Sequence, residues 1–169
     1  LSNATLPVKT VTPERKSHLG NNGFTGLADF SFKDAPVTQA KVILIPGGDP
    51  GSVVENPDLT LLLQKANTQT ETLLGAICAG PLLLAKAGLL KGHQFTHGYG
   101  QTHLGFLAPF WEGANYIDQP VVVSGNLVTA QPQVHIDFAT ELARFANVYQ
   151  KPHRSQEMNA YYKGQMPKG

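Results

Sequence analysis

A run of four aliphatic residues, Val42-Ile43-Leu44-Ile45, stops at Pro46-Gly47-Gly48. Continuous apolar runs without alternation belong to strands covered on both faces, as in parallel sheets. A parallel neighbour needs a crossover, and the chain supplies one. Pro57 to Thr70 carries Leu59, Leu62, Leu63 and Ala66 at helical spacing, with Asn56-Pro57 marking its start. The unit then repeats: Thr72 to Cys78 reads as a second buried strand, and Pro81 to Leu90 as an apolar helix closed by Lys91-Gly92. This alternation predicts an α/β fold with helices on both faces of a mostly parallel sheet, a three-layer α/β/α sandwich. In such folds sites form outside the carboxyl ends of the strands. Two such ends are Gly47-Gly48 and Cys78.

The flanking segments give weaker signals. Val8 to Thr12 alternates and reads as a short strand, Lys16 to Gly26 as a polar loop, and Leu27 to Phe32 as another short strand. Beyond the second helix, Gln94 to His97 is expected to be a strand, Tyr99 to Ala108 a helix and Trp111 to Ile117 extended. Val121 to Val123, the turn Ser124-Gly125-Asn126, and Leu127 to Ala130 form a β-hairpin inserted in an otherwise parallel architecture. His135 to Tyr149 is expected to close the domain as a helix with Ile136, Phe138, Ala139, Leu142, Phe145 and Ala146 facing inward. Residues 1–150 make one domain, and 151–169 read as a C-terminal tail, a short helix or frayed end.

The 169 residues, 41% hydrophobic, suit one domain with a full core. A formal charge of +1 gives no footprint for nucleic acid or an anionic membrane, and no apolar run approaches the length needed to span a bilayer. A small-molecule substrate and a second copy of the chain are the partners to expect. One cysteine cannot form an intrachain disulfide, which favours a reducing, cytoplasmic location.

Cys78 sits in Gly75-Ala76-Ile77-Cys78-Ala79-Gly80, with small residues at −3, +1 and +2. Small neighbours permit a sharp strand-to-helix turn that projects the side chain outward, the logic of a nucleophile elbow, and the next backbone N–H can stabilise an oxyanion. The positive end of the following helix favours a thiolate. A lone cysteine after an apolar strand also fits a small buried hydrophobe. The balance tips toward chemistry because the preceding strand ends in a glycine pair aimed at the same crevice. Gly48 and Ala79 are then the paired oxyanion donors. The glycine segment lacks the Gly-Lys-Ser/Thr of a phosphate loop and the spacing of a dinucleotide fingerprint, so no nucleotide cofactor is expected.

Ile45-Pro46-Gly47-Gly48, Ala76-Ile77-Cys78-Ala79-Gly80-Pro81, Ala87-Gly88-Leu89-Leu90-Lys91-Gly92 and Thr96-His97 together resemble the ThiJ/PfpI (class I glutamine amidotransferase-like) superfamily in order and spacing. The 124–130 hairpin and Asp137-Phe138-Ala139 are similar too, so the resemblance covers about Pro7 to Tyr149. It implies a flavodoxin-like fold, Cys78 as the reactive cysteine, Gly48 and Ala79 as oxyanion amides, His97 following the elbow helix, and a homodimer. The superfamily's first strand and helix, which carry a glutamate to the cysteine, have no matching segment here. The natural protein is therefore expected to have additional N-terminal residues, or another segment in that mid-sheet place. Superfamily members resembling intracellular proteases carry His directly after the cysteine. This chain has Ala79 there, which disfavours protease activity.

His97 is the leading general base for Cys78. His135, in the first turn of the last helix, and Gly47 are secondary candidates. His93 and His97 would lie ~13 Å apart on a strand, too far to share a metal, so no metal site is expected. Phe110, Trp111 and Tyr116 read as core aromatics rather than a pocket. The function expected is thiolate attack on a small electrophile: an aldehyde, isonitrile, amide or glycated adduct, in a hydrolase or lyase. The alternatives are an oxidative-stress sensor or protective chaperone using Cys78 oxidation, and a ligand-binding domain related to AraC-like regulators. No helix-turn-helix follows Tyr149 to support the last.

Overall fold

The computed structural model describes residues 6–20, 23–100, 105–149 and 151–165. Four short strands open the described chain: β1 (Val11–Thr12), β2 (Ser17–Leu19), β3 (Thr25–Leu27) and β4 (Phe30–Ser31). They are followed by β5 (Val42–Ile45), α1 (Pro57–Asn67), β6 (Leu73–Ile77), α2 (Pro81–Lys86), β7 (Gln94–Phe95), β8 (Asn115–Tyr116), β9 (Val121–Ser124), β10 (Leu127–Ala130), α3 (His135–Phe145) and α4 (Pro152–Tyr162).

The main sheet has the order β5-β6-β10-β9. Its first three strands are parallel, with Val42 opposite Leu73 and Leu127 opposite Leu74, and β9 returns antiparallel from β10 as the expected hairpin. One face packs on α1 and α2 through Leu62, Leu63, Leu74, Leu84 and Phe95. The other packs on α3 through Leu73, Val128, Phe138 and Leu142. This is the three-layer α/β/α sandwich of flavodoxin-like type that the strand–helix alternation predicts. Burying each of the large core side chains is worth about 1.5–3 kcal/mol, so the two apolar layers fix the sheet and, with it, the ends of its strands.

Local signals set several boundaries. Asn56 Oδ1 accepts from the N–H groups of Asp58 and Leu59 at 2.9 and 3.2 Å, capping α1 with Pro57 at its first position. Helix α2 is shorter than Pro81 to Leu90. Gly88 adopts φ +75°, and the Leu89 N–H donates to the Leu84 carbonyl at 2.9 Å, which ends the helix before Lys91-Gly92 is reached. Helix α3 likewise stops at Phe145 rather than Tyr149, where Asn147 turns left-handed and the Val148 N–H closes on Ala143. Ala139 and Phe145, expected inward, are exposed, because the inward face of α3 is carried by Phe138 and Leu142.

Other expectations need correction. Strand β5 is not buried on both faces: Leu44 is 53% exposed, since β5 is the outermost strand and no described segment pairs with its outer edge. The polar stretch from Lys16 to Gly26 contains an antiparallel pair, β2 with β3, and β1 pairs in parallel with β4. Strand β7 covers only Gln94 and Phe95 and pairs with β8. Of the helix expected over Tyr99 to Ala108, residues 105–107 are helical, Ala108–Trp111 form a 3-10 turn, and 101–104 lie outside the described residues. In the C-terminal tail, by contrast, the short helix expected is present as α4 (Pro152–Tyr162), docked on α3. Asn159 donates to Asp137 and Thr140 of α3, and Lys163 donates to Asp137.

Candidate active site

The carboxyl ends of β5, β6 and β10 lie side by side, and Cys78 emerges from the middle one. Its φ is +63°, a left-handed conformation uncommon for a residue with a side chain. Two backbone bonds hold it there. The Cys78 N–H donates to the Ala130 carbonyl at the end of β10 at 2.9 Å, and the Cys78 carbonyl accepts from the Gly98 N–H at 2.7 Å. Gly80 closes the turn by donating to Ile77 at 3.0 Å. A strained conformation persists when its surroundings over-determine it, and such positions concentrate at functional centres.

The neighbours of Cys78 have no space to spare. A Cβ on Gly47 would stand 2.8 Å from Cys78 Cβ and 3.3 Å from Sγ, and one on Gly98 would stand 3.0 Å from Cys78 Cα. Glycine at 47 and 98 is thus required by close approach, the first against the thiol and the second behind the elbow. Gly48 has φ +127° and is exposed, whereas Ala79 is buried. Among the described residues neither the Gly48 nor the Ala79 N–H donates to a protein acceptor. Cys78 itself is half-buried. Helix α2 starts three residues later and is only six residues long, so its dipole contributes less at the thiol than a helix running to Leu90 would have done.

His97 is 5% exposed and sits among aromatic rings, not in open contact with the thiol. Its ring stacks on Tyr116 at 4.7 Å and on Trp111 at 5.4 Å. Nδ1 accepts from the Tyr99 N–H at 3.1 Å, which puts the proton of the neutral imidazole on Nε2. Burial pushes the imidazole below its ordinary value, with Asp118 opposing. Among the described residues no hydrogen bond joins His97 to Cys78. Phe110, Trp111 and Tyr116 were expected in the core. Trp111 does pack against the core, with its ring 4.9 Å from that of Phe95, and also stacks on His97. Tyr116, which stacks on His97 as well, is 44% exposed, and Phe110 receives Lys86 Nζ over its face at 5.2 Å.

The remaining histidines lie apart from this group. His135 is exposed at the first residue of α3. His93 Nδ1 meets the carbonyl oxygen and Oγ of Ser124, each at 3.1 Å. The acid two residues after His135, Asp137, is engaged by Lys163 and Asn159, and the Lys163 contact holds its carboxyl below the usual range.

One residue at the elbow escaped the sequence reading. Tyr99 Oη donates to the Ala79 carbonyl at 3.4 Å. The phenol is pushed above its ordinary value, chiefly by burial and then by the negative charges of Cys78 and Asp49. Nothing in its sequence setting marks Tyr99, because its place depends on how the chain returns to the elbow after β7.

The sequence model of the DJ-1/PfpI family matches residues 1–144. The glutathione-independent glyoxalase DJR-1.2 of Caenorhabditis elegans is 31% identical over 68% of this chain and 59% of its own length. The uncharacterized protease YoaZ of Bacillus subtilis is 26% identical over 86% of this chain and 69% of its own. The chain thus spans between just over half and about two thirds of these relatives. Among solved structures, a ThiJ/PfpI family protein from Bacillus anthracis superposes with a TM-score of 0.79 at 22% identity, covering 93% of this chain and 73% of that one. That likeness speaks for the fold.

Proposed function

The chain belongs to the DJ-1/PfpI family, and we propose that it is a cysteine-dependent enzyme whose Cys78 thiolate attacks a small carbonyl electrophile, an aldehyde or an adduct derived from one. The observation that carries this reading is the strained elbow. Cys78 holds φ +63° between two backbone hydrogen bonds, with Gly47 pressed against the thiol. A buried hydrophobe needs neither the strain nor the cleared space.

In the proposed reaction Sγ bonds to the carbonyl carbon while the π pair moves to oxygen. The oxyanion is received by the N–H groups of Gly48 and Ala79, neither of which donates to an acceptor among the described residues, as that role requires. His97, with Nδ1 committed to the Tyr99 amide, acts by fixing the segment that follows β7. Kinship with a protein named a glyoxalase supports a small carbonyl substrate. Ala79 directly after the cysteine leaves no adjacent imidazole to assist peptide cleavage, despite kinship with a protein named a protease. A homodimer in a reducing cytoplasm is the assembly and setting proposed. Among the described residues no helix is long and apolar enough to cross a membrane.

The test is turnover of methylglyoxal by the wild type and Cys78→Ser. Loss on the order of 10³-fold or more supports the reading, and equal activity ends it. A wild type that turns over nothing yet gains sulfinic acid at Cys78 in mild peroxide would favour the oxidation-sensor reading.

A further inference from the structure

We infer that Asp49 is a selectivity residue of the Cys78 centre: its carboxylate disfavours electrophiles that carry a negative charge, so the carbonyl substrate is uncharged or cationic beside its reacting carbon. The inference rests on the proposed nucleophilic role of Cys78 and adds a substrate class to it.

Asp49 belongs to the turn pressed against the thiol. Gly47, two residues earlier, lies so close that a Cβ there would stand 3.3 Å from Cys78 Sγ. Gly48, the immediate neighbour of Asp49, offers a proposed oxyanion amide. Covalent geometry alone then keeps the Asp49 carboxylate within about 8 Å of the Gly48 nitrogen in every rotamer. The residue is exposed, and its Oδ1 accepts from the Gly51 N–H at 2.8 Å. Among the described residues no Lys, Arg or His forms an ion pair with Asp49. Lys86, on the elbow helix, is taken by Glu55 at 2.7 Å. The Tyr99 phenol, raised chiefly by burial, feels the charges of Cys78 and Asp49 next, which sets both on one side of the elbow.

A thiolate and a carboxylate with no paired cation thus border the Gly48 amide. A 2-oxoaldehyde brings no charge to this turn. A 2-oxo acid brings a carboxylate on the carbon next to the one attacked, and that charge meets Asp49 at a separation that water and dilute salt screen incompletely. Like charges brought together slow the approach of the anion alone, which is selectivity obtained by repulsion.

Alkylation of the full chain tests this without any turnover. Cys78 is the only cysteine, so mass spectrometry reads its thiol alone. With iodoacetamide and with iodoacetate, Sγ bonds to the methylene carbon as iodide leaves, and the two reagents differ in charge. The ratio of their rates cancels any change in the thiolate fraction. Asp49→Asn keeps the Oδ1 acceptor for Gly51. In dilute salt of about 10 mM it should raise the iodoacetate-to-iodoacetamide ratio about threefold. Salt at about 1 M, with a screening length near 3 Å, should erase that gain. Glu71→Gln makes the same change in net charge before the amino end of β6 and should move the ratio by less than about 1.5-fold. An unmoved ratio in Asp49→Asn, a gain that survives the high salt, or an equal gain in Glu71→Gln overturns the inference. Failure of the parent reading looks different: Cys78→Ser would then match the wild type in methylglyoxal turnover.

Discussion

The two flanks of Cys78 contrast. On the β5 side, Leu44 is 53% exposed and Pro46 to Asp49 are all exposed. On the β10 side, the segment after the elbow helix is closed. Phe95 and Thr96 are fully buried, His97 is 5% exposed, and the Thr96 N–H donates to Thr129 Oγ1 at 2.9 Å. The apolar strand is the open one and the polar Thr-His pair is the buried one. Burial here follows from having neighbours on every side; the Thr96 N–H and His97 Nδ1 have partners, whereas the Thr96 hydroxyl is buried without one among the described residues. The closed flank holds the elbow through Gly98 and Ala130, while the open flank leaves Gly48 exposed.

The sharpest way to break the contrast is Phe95→Ala. Phe95 packs against Trp111 at 4.9 Å and His97 at 5.9 Å, and its loss is expected to cost about 3–5 kcal/mol in denaturant unfolding. A loss under about 1 kcal/mol would mean that the closed flank is not part of the core. Smaller, and dependent on pH, is the effect of His97. Its folded-state value lies below the ordinary value near 6.5, so the unfolded chain takes up the proton more readily. Stability should therefore hold above about pH 6.5 and decline as pH falls through the lowered folded value. His97→Gln should flatten this decline, as followed by Tm between pH 4.5 and 7.5. An unchanged slope would place the acid sensitivity elsewhere. The smallest effect belongs to the open flank: Leu44→Ser is expected to change unfolding free energy by no more than about 0.5–1 kcal/mol. A loss like that of Phe95 would show that something in solution covers β5.

Much of this architecture was legible without coordinates because it depends on local chemistry. The run from Val42 to Ile45, the Asn56-Pro57 start and the spacing of Leu59, Leu62, Leu63 and Ala66 each carry their own instruction. Helix ends were less legible. Gly88 stops α2 where its left-handed φ lets Leu89 bond back to Leu84, a choice that an apolar run through Leu90 conceals. The small residues around Cys78 announced a tight turn. They did not announce that Gly98, twenty residues on, would brace it, or that Tyr99 would arrive with it.

The sequence by itself determined the layered α/β plan, the elbow position of Cys78 and the glycine pair opposite it, because strand and helix periodicity and small-residue turns are properties of neighbours along the chain. Only the tertiary structure decided which strand stands at the edge, that His97 lies in an aromatic box with Nδ1 committed to Tyr99, and that a phenol reaches the elbow. Those outcomes depend on contacts between segments far apart in sequence, formed only when the sheet registers and the chain after β7 folds back across its carboxyl edge.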